Sequence, residues 1–407
     1  MDLHLNHSVL NKENHIVVSG SKSETNRLLL LQALYPEISI VNASDSDDSD
    51  TMLGALSGVK DIIDVHHAGT AMRFLTAYFA VSPEHSVTLT GSHRMKERPV
   101  KILVNALRQL GARINYLESE GYPPLKIEGQ GISKSKVTLK ADVSSQYITA
   151  LMLVAGKLKN GLEITLEGEI TSLPYLNMTL GLLNKVGITA KKEGNVISVY
   201  PVYNLPQVSI VVESDWSSAS YFYSLVALSQ EGTQISLSFY NKESLQGDSA
   251  LAEIYAHLGV ATTFEHNKII LRKVNFTTDV LKLNLNDTPD IAQTIAVTCF
   301  GLGIGCKLTG LHTLKIKETD RLEALKTELV KLGADVSVTE DSLLLNPGSN
   351  INADIEVDTY NDHRMAMSFA PLALKVPVVI KNADVVSKSY PAFWSHLNSI
   401  GICFESL

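Results

Sequence analysis

One short signature recurs through this chain at nearly constant spacing: an apolar-periodic helix, a closing glycine, then an alternating run. Leu107-Arg108-Gln109-Leu110-Gly111-Ala112 is echoed by Leu183-Asn184-Lys185-Val186-Gly187-Ile188, by Ile254-Tyr255-Ala256-His257-Leu258-Gly259-Val260 and by Leu329-Val330-Lys331-Leu332-Gly333-Ala334. Their glycines lie 76, 72 and 74 residues apart. A weaker copy, Leu397-Asn398-Ser399-Ile400-Gly401-Ile402, follows 68 residues on, and a first copy is read at Ala55-Leu56-Ser57-Gly58-Val59, 53 before Gly111. Each copy reads as an amphipathic helix stopped by glycine at C′ and followed by a strand. The runs Ala112–Tyr116 and Ala334–Val338 alternate with the period of half-buried strands. Units of about seventy residues are longer than most solenoid repeats. Six such units in 407 residues predict two pseudo-symmetric α/β domains of three units each.

Hydrophobic residues make up 45% of the chain and charged residues 19%, enough for large cores. A net charge of −8 argues against a general nucleic-acid binder. No apolar run reaches the roughly 18 residues of a membrane-spanning helix. Met1-Asp2-Leu3-His4 lacks the charged-then-apolar pattern of a signal peptide, so a soluble cytoplasmic protein is expected. Cys299, Cys306 and Cys403 form no C-x-x-C pair and read as buried apolar thiols, with neither disulfide framework nor zinc site.

Several segments place cations at expected helix starts. Lys315-Ile316-Lys317-Glu318-Thr319-Asp320-Arg321 precedes a run at Leu322, Leu325 and Leu329. Lys317 and Arg321, four apart, are expected to share one helix face. Two cations there oppose the helix dipole, and with free N–H groups they would suit a bound anion. A solvated face with local pairing by Glu318 and Asp320 is the other reading. Ser19–Arg27 precedes a helix at Leu28–Leu34, and His67–Arg73 opens one at Phe74–Phe79. Asn361-Asp362-His363-Arg364 opens a helix at Met365–Leu372. Each reads alone as an N-cap beside an exposed cation; as a set in an acidic protein they favour a shared polyanionic ligand. Ser144-Ser145-Gln146-Tyr147 and Ser214–Tyr221 bring hydroxyls to two more helix starts, as anion contacts or as plain caps. Arg94-Met95-Lys96-Glu97-Arg98-Pro99 follows a strand at Ser86–Thr90. Its cations are either exposed or directed in part at an anion.

Other patterns fail their tests. No Walker A loop is present. Ser44–Asp50 lacks the glycine and glutamate of a calcium loop and reads as an acidic cap for a helix near Thr51. Gly301-Leu302-Gly303-Ile304-Gly305 lacks the third glycine of a dinucleotide fingerprint and follows a helix.

These segments together resemble the 5-enolpyruvylshikimate-3-phosphate synthase family. Gly20-Ser21-Lys22-Ser23 with Arg27, Ala68–Arg73, Arg94–Pro99, Ser144-Ser145-Gln146 and Ser172-Leu173-Pro174-Tyr175 occur in the family's order. So do Pro289-Asp290, Lys317–Arg321, Asp362-His363-Arg364 and Lys388 before Tyr390-Pro391, and together they span nearly the whole chain. The resemblance implies an inside-out α/β barrel in two pseudo-symmetric domains, each of three βαβαββ units, with the active site in the interdomain cleft. It implies an N-terminal domain at residues 20–212 and a C-terminal domain at 1–19 and 213–407. The implied reaction moves the carboxyvinyl group of phosphoenolpyruvate to the 5-hydroxyl of shikimate 3-phosphate. Phosphate leaves by addition and elimination through a tetrahedral intermediate, in a step toward aromatic amino acids. No metal or organic cofactor is implied. The implied partners are the two small molecules, with no nucleic acid or membrane, and the protein is expected to be a monomer.

By the same resemblance, Lys22, Ser23, Arg27, Ser144, Ser145, Gln146, Ser172, Tyr175, Asp290 and Lys317 hold shikimate 3-phosphate. Lys22, Gly69, Arg98, Gln146, Arg321, Arg364 and Lys388 hold phosphoenolpyruvate. Arginine suits phosphate and carboxylate because its fork matches them with paired hydrogen bonds. Asp290 is implied as the base toward the 5-hydroxyl and Glu318 as the proton donor to carbon, and Lys22 could serve either transfer. Reversed proton transfers in the second step require groups that both give and take. The chain departs from the family at His67, Phe74 and Thr313, which bears on affinity and on sensitivity to the herbicide glyphosate.

Two alternatives predict different assays. A sister enolpyruvyl transferase acts on UDP-N-acetylglucosamine, but it usually carries a cysteine on an N-terminal-domain loop, whereas the first cysteine here is Cys299. A non-catalytic anion-binding protein would have no need for both Asp290 and Glu318 beside bound anions.

Overall fold

The computed structural model describes residues 1–58, 60–83, 85–140, 144–168, 172–277 and 279–407. The chain divides into two compact units, Gly20–Val212 and Met1–Ser19 with Glu213–Leu407.

Five four-stranded sheets share one pattern. A strand, a helix and a second strand form a parallel pair. A further helix then leads to two strands that complete the sheet antiparallel. In the 20–212 unit, Ile62–Asp64 pairs parallel with Ser86–Thr90, and Leu125–Glu128 pairs antiparallel with both Ser86–Thr90 and Arg113–Tyr116. The Lys136–Lys140 to Val196–Val199 sheet repeats it. In the other unit the Val280–Asn284 to Leu343–Leu345 sheet does the same. The first residues of the chain complete two more of that unit's sheets. Leu3–Leu5 lies between Val378–Ile380 and Phe404–Ser406, and Glu13–Ile16 pairs parallel with Gln234–Ser238.

The sixth unit is reduced. Among the described residues its sheet has only Ile38–Val41 paired parallel with Val208–Val211. Its sequence copy is also the irregular one. Gly111, Gly187, Gly259, Gly333 and Gly401 all hold positive φ, from 79° to 109°, where a Cβ would be strained. Gly58 does not join them, which corrects the expectation of a helix-stopping glycine there; Val59 lies outside the described residues.

In each unit the helices that link parallel strands sit inside and the sheets outside. The Gly69–Val81 and Ser145–Ala155 helices are buried on nearly every face and pack on each other and on Lys22–Leu34. Trp216–Leu228, Ala292–Leu302 and His363–Phe369 form the corresponding trio. A helix apolar all round has to be enclosed. The strands need only one dry face, and Lys136–Lys140 alternates exposed and buried accordingly. Lys22, Gly69 and Ser145 lie at the starts of inner helices, as does Arg364.

Cys299 and Cys306 are buried, but Cys403 is exposed, a correction to the expected burial. It leads into the edge strand Phe404–Ser406, where its neighbour Ile402 takes the inward position and the thiol faces out. Among the described residues no helix is long and apolar enough to cross a membrane.

Candidate active site

In the 20–212 unit the helix starts are made by small hydroxyl caps. Ser21 caps Lys22–Leu34 by accepting from the Glu24 N–H. Ser144 caps Ser145–Ala155 by accepting from Gln146 N–H, and Ser145 is buried behind it. Ser172 sits at the start of Leu173–Lys185 with φ 55°, making no side-chain cap. Lys22 Nζ pairs with Asp48 Oδ2 at 3.0 Å, and Asp48 belongs to the acidic first turn of Asp47–Leu56. That helix begins four residues before the expected Thr51, capped by Ser46.

Arg27 is buried, and its hydrogen bonds go to neutral groups. Its Nε donates to Thr179 Oγ1 at 2.9 Å, and its terminal nitrogens donate to the Ser23 and Tyr175 carbonyls at 2.6 and 3.5 Å. The Phe74 and Tyr175 rings lie 5.6 and 6.0 Å from the guanidinium carbon. Burial pushes its pKa down to about 10, against the pull of Tyr175 and Glu24. Phe74, one of the family departures, therefore acts as a packing face for Arg27.

The Arg94–Pro99 segment resolves its three cations in different ways. Arg94 pairs with Glu97 at 3.0 Å and Lys96 with Glu118 at 2.7 Å, both at the surface. Arg98 is 8% exposed, and among the described residues its buried Nε has no hydrogen-bond partner. Its guanidinium lies on Gly69, where a Cβ would come within 2.6 Å of both terminal nitrogens. Glycine is thus required for this close approach. Gln146 Nε2 donates to Thr70 Oγ1 at 3.2 Å, next to Gly69 in the chain. His67 is exposed and lies 3.1 Å from Ser92 Oγ.

In the other unit the cations meet carboxylates. Arg321, 2% exposed, donates from Nε to Asp362 at 2.6 Å, from one terminal nitrogen to Asp290 at 3.0 Å and from the other to Glu318 at 2.8 Å. Burial opposes its charge, but Asp362, Glu318 and Asp290 outweigh that and raise its pKa. Asp290 also faces Lys317 at 3.6 Å and Arg364 at 3.3 Å, and its backbone carbonyl accepts from Arg364 at 2.9 Å. Lys388 Nζ donates to the Asn361 carbonyl at 2.6 Å, beside Asp362. Thr313 Oγ1 is buried with no partner among the described residues, in the 3₁₀ turn that leads to Lys317.

Two expectations are corrected here. The helix begins at Arg321, while Lys317 lies in extended backbone before it. Lys317 and Arg321 therefore share a partner, Asp290, but no helix face. The N–H groups at that helix start are also occupied, because Asp320 accepts from Leu322 and Glu323. The anion held there is the chain's own.

Sequence reading singled out the cations but missed the groups that hold them. Asp48, Thr179 and the fully buried Asp362 are such anchors, as are Ser217 and Asp248 near Arg364. Asp362 lay within a motif, Ser217 in the hydroxyl-rich start Ser214–Tyr221 and Asp48 in the acidic cap Ser44–Asp50; Thr179 and Asp248 carried no signal.

A family model described as EPSP synthase (3-phosphoshikimate 1-carboxyvinyltransferase) matches residues 57–397. A 3-phosphoshikimate 1-carboxyvinyltransferase of Bacteroides fragilis is 46% identical over 393 residues, 95% of each chain. One from Mannheimia haemolytica is 35% identical, covering 96% of this chain and 97% of its own. The solved EPSP synthase of Acinetobacter baumannii superposes with a TM-score of 0.79 at 22% identity over 99% of both chains. The enolpyruvyl transferase NikO of Streptomyces tendae gives 0.76 at 11% identity, over 99% of this chain and 98% of its own, a likeness of fold. With most of its length matched by that family model and nearly half its residues identical to a full-length relative, the chain belongs to the EPSP synthase family.

Proposed function

We propose that this chain transfers the carboxyvinyl group of phosphoenolpyruvate to the 5-hydroxyl of shikimate 3-phosphate and releases inorganic phosphate. The observation that carries this reading is the Asp290–Arg321–Glu318 arrangement, two carboxylates on one buried cation with Lys317 and Arg364 alongside. Both substrates bear a phosphate and a carboxylate, so cations must hold them while carboxylates move protons. The compact units serve as the two transferase domains, 20–212 and 1–19 with 213–407.

Ser23, Arg27, Ser144, Ser145, Ser172, Tyr175 and Lys317 are assigned to shikimate 3-phosphate, with Asp290 as base toward its 5-hydroxyl. Gly69, Arg98, Arg321, Arg364 and Lys388 are assigned to phosphoenolpyruvate. Lys22 and Gln146 touch both, and Lys22 is the second group able to carry a proton. Each hydrogen bond to a charged group contributes about 1.5–3 kcal/mol. Arg98 has the strongest support among the anion holders, because a buried guanidinium nitrogen without a partner is costly until a ligand supplies one.

Glu318 must hold a proton before it can give one to the methylene carbon. Its hydrogen bond from Arg321 favours the ionised form. Arg321 has five donors, and four bonds to Asp290, Glu318 and Asp362 engage both terminal nitrogens and Nε. A substrate carboxylate that takes both terminal nitrogens of Arg321 therefore competes with Glu318 and Asp290. Displaced from its cation and facing added negative charge, Glu318 takes up the proton it delivers. On collapse the C–O bond to phosphate breaks, Glu318 takes back a proton from the newly formed methyl group, and the proton held by Asp290 passes to the departing phosphate.

The protein is read as a cytoplasmic monomer acting on small molecules, without nucleic-acid or membrane partners. Phosphate release from phosphoenolpyruvate is the direct test, with shikimate 3-phosphate in one tube and UDP-N-acetylglucosamine in another. Release only with shikimate 3-phosphate supports the proposal. Release only with the nucleotide sugar replaces the acceptor, and silence in both favours an anion-binding protein.

A further inference from the structure

Beside Arg364 lies a buried acid that none of the roles above uses. Asp248 is 5% exposed, in the 3₁₀ turn Gly247–Ala250. Gln246 fixes this turn against the Trp216–Leu228 helix. Its Oε1 accepts from the Trp216 N–H at 2.9 Å and its Nε2 donates to the Ser214 carbonyl at 3.0 Å. Ser217, in the first turn of that helix, donates its hydroxyl to Asp248 Oδ2. Ser217 Oγ itself accepts from Arg364 at 3.3 Å. Arg364 in turn reaches Asp290 through its side chain at 3.3 Å and through the backbone carbonyl at 2.9 Å. Four elements therefore converge on one relay: Asp248, Ser217, Arg364 and Asp290.

We propose that Asp248 is a positioning residue for Arg364, acting through the Ser217 hydroxyl, which it orients so that an oxygen lone pair faces the guanidinium. A hydroxyl has one hydrogen and two acceptor sites. With the hydrogen committed to Asp248, Ser217 can only accept from Arg364, and the fork is held in one orientation toward Asp290. This inference rests on the reading that Arg364 holds phosphoenolpyruvate.

The charged groups around Asp248 add a pH dependence. Burial pushes its pKa up to about 7, and Asp290 and Asp215 push the same way, while Arg364 and the Ser217 bond pull it down. Below about 7 the acid is neutral and Arg364 answers to fewer carboxylates. Above it, Asp248 competes with an anionic ligand for Arg364. The KM for phosphoenolpyruvate therefore rises as pH climbs from about 6 to about 8.

Steady-state kinetics of four variants test this. Ser217→Ala is expected to raise the KM for phosphoenolpyruvate about tenfold, roughly 1.4 kcal/mol. The KM for shikimate 3-phosphate should stay within about twofold. Asp248→Ala should do the same, and combining the two should cost no more than either alone, as residues of one relay are non-additive. Asp248→Asn keeps an acceptor but loses the charge, so it should recover most of the affinity and flatten the pH rise relative to the parent. Arg364→Lys is the control for the underlying reading. If it raises the KM for phosphoenolpyruvate while Ser217→Ala leaves it within about twofold, the relay is overturned and the assignment of Arg364 stands. If Arg364→Lys itself has no effect, the assignment fails first. Should Asp248→Ala not fold, Ser217→Ala decides, since alanine is a good helix former at that half-buried first-turn position.

Discussion

Arg27 and Arg321 are both buried guanidiniums within the first two turns of helices, yet their hydrogen-bond partners are opposite in kind. Arg27 is held by a hydroxyl, two carbonyls and two aromatic faces, and its pKa falls to about 10. Arg321 is held by three carboxylates, and its pKa rises. Neutral hydrogen-bond partners orient a cation without cancelling its charge. Carboxylate partners cancel it. On the function proposed above, one unit mainly attracts anions and the other exchanges them against its own acids. Lys22, paired with Asp48, is the point in the first unit where the two designs meet.

The sharpest attack on this comparison is Glu318→Gln. It keeps the Arg321 bond and removes the proton, so kcat should fall by about 10²–10⁴-fold with the KM for shikimate 3-phosphate little changed. A loss under tenfold in a phosphate-release assay would take Glu318 out of proton transfer. Next is a pair of stability measurements. Arg321→Leu strands three carboxylates and should cost about 3–5 kcal/mol. Arg27→Leu strands only neutral acceptors and should cost about 1–3 kcal/mol. Equal shifts in urea unfolding would mean that the two environments do not differ energetically. Arg98→Lys replaces a fork by a point charge and should raise the KM for phosphoenolpyruvate about tenfold, while sparing shikimate 3-phosphate. The mildest test is Phe74→Leu. Losing the ring beside Arg27 removes about 0.5–1 kcal/mol, seen as a few-fold rise in the KM for shikimate 3-phosphate. No change there would make Phe74 simple core filling.

The parts of this architecture that depend on neighbouring residues were legible early. The helix–glycine–strand signature located five regular units, because a left-handed C′ and a period-two strand are properties of a few consecutive residues. Ser86–Thr90 is the strand expected from its alternation. The irregular first copy, with its short spacing and ordinary Gly58, matches the unit whose described sheet has two strands. Charge-rich helix starts likewise marked where candidate residues would gather.

What pairs with what was not readable from the chain alone. The reading of Lys317 and Arg321 as one helical face assumed that the helix began before Lys317. Asp320 capping starts it at Arg321 and leaves Lys317 to meet Arg321 only across Asp290. Asp48 lies 26 positions from Lys22, Thr179 lies 152 from Arg27, and Asp362 lies 41 from Arg321. Periodicity carries no information about such distances; the pairings arise when folding brings separate segments together. Repeat number, α/β character and the supply of cations therefore follow from local chemistry. Which cation stays open to a ligand and which is neutralised by an acid is settled by packing, since burial and partner charge are properties of the folded neighbourhood.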